Sequence, residues 1–224
     1  MTEAALDLDA PDRSSRSRRG RPKDADPQAA RMLLEATAAL MRERDTLDVS
    51  FADIGRRAKL PPGLIGYHFG NKEGLLLALL ERDVQWALSR GDALARTACS
   101  PDEKFKRHLT GMATAFLHTP YYSRLLNAMT RDTPPERVRE IANRLIRPLV
   151  DAQSAIIDEG VAAGIFRPVD KMLTYFAVLG AVEALYCSRF ILGSVFGIQN
   201  IDRALHEENA REIGGLLLTG LLKV

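Results

Sequence analysis

From Asp26 to the C-terminus, apolar residues recur three and four positions apart, and no stretch alternates over a convincing run. That periodicity admits helices and leaves nothing to pair as a sheet, so the predicted class is all-α. Asp26-Pro27 reads as an N-cap followed by proline at the first helical position. Leu33, Ala36 and Leu40 then define a helix over 27–44. Ser50-Phe51-Ala52-Asp53 is a variant capping box opening a short helix to about Ala58. Lys59-Leu60-Pro61 breaks it, Pro62 enters the first turn of a third helix through Phe69, and Gly70 ends that one. Asn71 caps a longer fourth helix with Leu76, Leu79, Leu80 and Val84 on one stripe. Spacing and breakers predict further helices over 101–118, 121–129, 135–164, 170–194 and 203–222, about nine in all. Pro148 lies inside the apolar stripe of the 135–164 helix, removes a donor and crowds the Arg144 carbonyl, which predicts a kink. Residues 170–194 are apolar almost all round, which predicts burial on several sides.

Composition narrows the function. With 224 residues, 46% hydrophobic and 27% charged, the chain suits one or two ordinary folded domains. Two cysteines, Cys99 and Cys187, supply neither a zinc framework nor a disulfide scaffold, and a reduced, cytoplasmic chain is the simplest reading. MTEAALDLDAPDR lacks the basic start and apolar run of a secretory signal. Glu183 and Arg189 interrupt the apolar run from Tyr175 to Phe196, so it reads as a buried helix and no membrane partner is expected. Charge is uneven: residues 13–72 hold 13 basic against 7 acidic side chains, and residues 73–224 hold 18 of each. A positive front suits a polyanion. Within residues 1–24, which read as a flexible arm, RSSRSRRGRPK is either a solvated tail or an arm that condenses on phosphates. In the second reading Arg19 contributes to phosphate contact and Arg21, beside Pro22, reaches a minor groove. Beside the motif that follows, the arm is favoured.

That motif is SFADIGRRAKLPPGLIGYHFGNKEGL, residues 50–75: two helices of about eight residues joined by a short turn, the spacing of a helix-turn-helix. Phe51, Ile54, Ala58, Leu60, Ile65 and Phe69 are spaced to bury one face on the first helix. Pro62, Gly63, Leu64, Gly66, Tyr67 and His68 remain for the outer face and ends of the third. The string AKLPPGLIGYHFGNKEGLL resembles the signature of the TetR family of transcriptional regulators, AGVSxGTLYxHFxSKExLL, with His68-Phe69 and Asn71-Lys72-Glu73 at matching offsets. The resemblance implies a DNA-binding domain over 25–72 and a helical ligand-binding and dimerisation domain over 73–224. It further implies a homodimer on a palindromic operator of double-stranded DNA, with Tyr67, His68 and Lys72 holding phosphates. Ser50 joins its capping role to a phosphate contact. Departures from the signature are specific: Lys59 replaces the turn glycine, Pro61 the serine, Leu64 the threonine and Gly66 the first aromatic, while Ala52 stands where many relatives carry arginine. The base-reading surface is therefore poor in bidentate donors. Leu64 is left to touch a thymine methyl, Gly63 and Gly66 to admit close backbone approach, and Lys59 or Arg56 to supply a polar contact. The arm and DNA shape take a larger share.

For the remainder, the resemblance implies that helices 170–194 and 203–222 pair with their copies in a four-helix bundle. Two-fold symmetry then sets the recognition helices about 34–36 Å apart. Interface candidates are Tyr175, Phe176, Leu179, Ile191, Ile213, Leu216, Leu217 and Leu221, any of which can instead fill the protomer core. A cavity for an unknown small-molecule effector is expected among Trp86, Phe105, Met112, Phe116, Tyr121, Tyr122, Leu126, Met129, Tyr175 and Phe176. Such stripes at helical spacing serve as core more often than as pocket. Glu183 and Arg189 need partners if buried: each other, the dimer mate, or a polar ligand group, with a structural salt bridge favoured. Repression relieved by a ligand is the family's usual mode, and no cofactor or metal is implied. Enzymatic function is the weaker alternative, because His68, His108, His118 and His206 are scattered and His206-Glu207-Glu208-Asn209 has Ala210 where a zincin needs its second histidine. A helical adaptor without DNA is the other; a steep salt dependence of duplex binding separates it from a regulator.

Overall fold

Capping side chains start the helices where the sequence puts them. The computed structural model describes residues 26–95 and 98–223, so the arm with Arg19 and Arg21 lies outside the described residues. Asp26 accepts the Gln28 N–H at 2.9 Å and opens α1 (Pro27–Arg44), and Ser50 accepts the Asp53 N–H at 3.1 Å and opens α2 (Phe51–Ala58). α3 (Gly63–Phe69) ends on Gly70, whose φ of 78° is open to glycine, and Asn71 then accepts the Gly74 N–H at 2.8 Å to begin α4 (Lys72–Ala95). α5 (Pro101–His118) and α6 (Tyr122–Thr130) follow. Asp170 and Asp202 cap α9 (Lys171–Cys187) and α11 (Arg203–Leu221), each accepting an N–H at 2.9 Å. No strand forms among the described residues; an isolated antiparallel bridge joins Phe166 to Leu222.

Two expected long helices are divided. Residues 135–162 form α7 (Pro135–Ile141), a π-helical turn (Ala142–Ile146) and α8 (Arg147–Ala162). Pro148 has no N–H to return to Arg144. The ladder slips just before it, the Arg147 N–H reaching the Ala142 carbonyl, so the predicted kink takes the form of a π-bulge. The second division is a break at Ser188, which separates α9 from α10 (Arg189–Phe196) with a bend of 62°. No glycine or proline marks it. Packing fixes it instead: the Tyr186 hydroxyl meets His206 Nδ1 at 2.8 Å, and the Cys187 thiol donates to the Pro120 carbonyl at 3.3 Å. Among the described residues no single helix is long and apolar enough to cross a membrane.

Two apolar clusters hold the helices. The first gathers Leu33 and Met41 of α1, Ile54, Ile65 and the α4 stripe Leu75, Leu79, Leu80 and Val84 with Tyr121, Leu125, Ile141 and Leu145. The second joins Phe105, Leu109 and Phe116 of α5 to Ile156, Phe166, Val178, Val182, Tyr186, Leu218 and Leu221. Contrary to the expected all-round burial, α9 and α10 leave one side bare: Met172, Leu173, Phe176, Phe190, Val195 and Phe196 are all exposed. Leu221 belongs to the core, which removes it from the interface candidates.

Gly160 shows how close the second cluster is packed. A Cβ there would stand 2.0 Å from the Phe166 ring, an edge-on neighbour of Phe105. Gly160→Ala is expected to lower stability by roughly 1–3 kcal/mol in denaturant titration, because the Phe166 ring must leave its place.

Candidate functional site

The α2–α3 corner depends on Gly55. A Cβ at this position would lie 2.8 Å from the Leu60 carbonyl and 2.9 Å from the Pro62 ring, so only glycine lets the turn fold back this tightly. Lys59 closes the turn in the left-handed region, φ 56°, which accounts for glycine being the usual residue there. Asp53 braces the corner: it accepts from Ser50 Oγ, Arg44 and Arg56, each at 3.0 Å. The bonds from Arg44 and Ser50 hold its carboxyl below the usual aspartate range.

This frame buries Ile54, Ala58 and Ile65 and half-buries Phe51, Leu60 and Phe69 against the first cluster. Pro62, Gly63, Gly66 and Tyr67 face solvent on α3, with open space around both glycines and Tyr67 51% exposed. Its ring stands edge-on to half-buried His68 at 5.1 Å. Leu64 departs from the expected outer position, since it is half-buried and packs on the first cluster, leaving only part of its side chain outward. Ser50, Ala52 and Lys59 are exposed beside the helix, and Arg56, exposed, is drawn to Asp53. Lys72, in the first turn of α4, forms an exposed ion pair with Asp48 at 3.3 Å. Asp53, the acid of the capping box, also braces the corner; sequence reading did not single out Asp48 or Gly55 as positioning residues, and the glycine inside a capped helix was the available signal.

Behind this head lies a cavity of about 820 Å³ bounded by α4, α5, α6, α8 and α9. Of the expected lining residues, Met112, Phe116, Tyr122 and Leu126 are on its wall, as are Tyr175, Phe176 and Glu183. Four are not. Phe105 and Tyr121 are fully buried core residues, Met129 packs half-buried on the first cluster, and Trp86 turns aside against His118 and beneath Arg90. Leu179, placed at the dimer interface by sequence, lies half-buried on the cavity wall. Ile213 and Leu217 pack half-buried on the second cluster, while Ile191 and Leu216 are exposed. The favoured Glu183–Arg189 salt bridge does not form: Arg189 is exposed, and Glu183 Oε1 lies 3.4 Å from the Cys187 sulfur, sharing that thiol's one proton with the Pro120 carbonyl. His108 and Gln153, missed by sequence reading, also line the wall, with His108 Nε2 at 3.4 Å from Gln153 Oε1. Burial lowers the His108 pKa below the usual imidazole range.

Residues 98–224 match the tetracyclin repressor-like C-terminal domain, and residues 33–79 match the tetR family of bacterial regulatory proteins. The chain belongs to the TetR family. It is therefore a TetR-family transcriptional regulator with a helix-turn-helix head. An 83-residue stretch is 34% identical to the HTH-type transcriptional regulator BetI 1 of Chromohalobacter salexigens, covering 37% of this chain and 40% of that regulator's length. A TetR/AcrR-family regulator from Thermobifida fusca superposes with a TM-score of 0.63 at 26% identity, over 86% of this chain and 98% of its own. The Bacillus subtilis regulator FadR, solved with stearoyl-CoA, gives a TM-score of 0.66 at 16% identity over 85% and 98%, a likeness of fold.

In this TetR-family head the Asp53 brace has a definite pH dependence. Because its carboxyl titrates below the unfolded value, its stabilisation is present above the ordinary aspartate range and is lost as pH falls through the lowered pKa. Asp53→Asn is expected to lower the Tm at neutral pH, with the difference from wild type vanishing on strong acidification. A constant difference across that range would contradict the assignment.

Proposed function

We propose that this regulator is a repressor that binds a palindromic operator as a homodimer through residues 62–69 and lets go when a small molecule fills the cavity. One observation carries the reading: α4 begins at Lys72, directly after the outward-facing helix, and its Asp83, Val84, Ala87 and Leu88 form part of the cavity wall. A ligand that repositions that wall moves the helix to which the head is attached. Release then requires tighter ligand binding to the conformer with the wrong head spacing.

The proposed DNA contacts follow from chemistry and exposure. Tyr67, His68, Lys72 and Ser50 offer donors to phosphates, while Gly63 and Gly66 allow the backbone near base edges. Lys59 and Pro62 border that surface, and Arg19 and Arg21 of the basic arm would add phosphate and minor-groove contacts. Lys72 exchanges its exposed Asp48 partner for a phosphate. The bare apolar residues of α9 and α10, together with Leu216 at 75% exposure on α11, support burial against a second copy.

Selection of bound sequences from a random duplex pool tests this reading. A palindrome with half-sites about one helical turn apart is the expected product. Lys72→Ala should weaken binding to all duplexes and reduce the salt slope by about 1, and Tyr67→Ala should weaken it without changing the selected sequence. Enrichment of no palindrome, or wild-type binding by both variants, would count against the proposal.

A further inference from the structure

The cavity wall contains two buried polar atoms that the fold leaves unpaired. Gln153 of α8 is 1% exposed; its Oε1 faces His108, and its Nε2 has no hydrogen-bond partner. The Tyr122 hydroxyl, at the start of α6, is also buried without a partner. The adjacent tyrosine shows the contrast, since the Tyr121 O–H donates to Asp83 at 2.8 Å. A buried polar group left unmet is costly, and an occupant of the cavity can meet both.

The charges on the wall limit what that occupant can be. Arg107 is held by Glu103 at 2.9 Å, and Arg90 lies over the Trp86 ring at 5.0 Å. Asp83 is satisfied by Arg82 and Tyr121. Glu183 and Arg90 remain, one charge of each sign without an ion-pair partner among the described residues, so the wall carries no net charge. A cation would meet Arg90 and an anion Glu183, so neither sign finds a wall of uniformly opposite charge. A donor amide and a hydroxyl set among Phe116, Leu126, Leu149, Tyr175 and Leu179 suit a neutral head on an apolar body.

We infer that the effector is an uncharged, mainly apolar molecule whose carbonyl oxygens, as in an ester, ketone or amide, accept from Gln153 Nε2 and the Tyr122 hydroxyl. The inference rests on the sensor reading above and specifies its ligand.

Methyl laurate, laurate and dodecyltrimethylammonium share a chain and differ in head group. Each is titrated into the full-length protein by calorimetry, below the concentration at which it aggregates. Methyl laurate is expected to bind about tenfold more tightly than either ion. Tyr122→Phe and Gln153→Leu are each expected to weaken it by roughly twofold to tenfold. Tyr122→Phe should keep the wild-type Tm without ligand, because its hydroxyl has no partner to lose. Equal or tighter binding of either ion, failure of the ester to bind, wild-type ester affinity in both variants, or a lowered Tm in Tyr122→Phe would overturn the inference. Release of the selected duplex, measured with the same probes, separates the two claims. An ion that binds best and releases DNA overturns the neutral-head assignment while the sensor stands. An ester that binds as expected and leaves DNA affinity unchanged overturns the sensor and leaves the head group assigned.

Discussion

Burial of the α4 stripe on two sides at once is the constraint on which the molecule depends. Leu75, Leu79, Leu80 and Val84 are each at most 2% exposed. One side of their cluster is made by Leu33, Met41, Ile54 and Ile65 of the head, the other by Tyr121, Leu125, Ile141 and Leu145 of the body. Head and body therefore have one core between them. Asp83 anchors the same stretch: burial pushes its carboxyl up, while Arg82 and the Tyr121 hydroxyl favour the charged form. Removing either partner would strand a buried acceptor. At the rim, Arg42 donates to the His118 carbonyl at 3.1 Å and Arg124 pairs with Asp45, tying α1 to α5 and α6.

This arrangement gives the proposed switch a physical route. Val84 belongs to the shared core and also borders the cavity, together with Ala87 and Leu88 one turn further along α4. A close-packed interior resists continuous deformation, so a ligand that favours another setting of α4 selects a discrete alternative. The π-turn before Pro148 brings Ile146 and Leu149 to the same cavity wall, where a helix already out of regular register can adjust.

What the sequence made legible was punctuation and stripe. Asp26, Ser50 and Asn71 each accept a backbone N–H at a helix start, and the apolar spacing marks the faces that become core. The break at Ser188 carries no such mark, because contacts far along the chain, Tyr186 with His206 and Cys187 with Pro120, impose it. Aromatic content alone could not sort pocket from core. Phe105 and Phe116 lie about three turns apart on α5 yet differ, Phe105 meeting the Phe166 ring and Phe116 facing the cavity. Gln153 was invisible for the opposite reason: a lone polar residue in a helix reads as solvent face, and only the packed fold buries it.

Native-state hydrogen exchange tests the shared core most directly. Amides of Ile54 and Ile65 in the head and of Leu125 and Leu145 in the body should open with the same free energy, and a destabilising change in either part should lower all four together. Exchange of the head amides through a separate, lower-energy opening that leaves Leu125 and Leu145 protected would contradict the account.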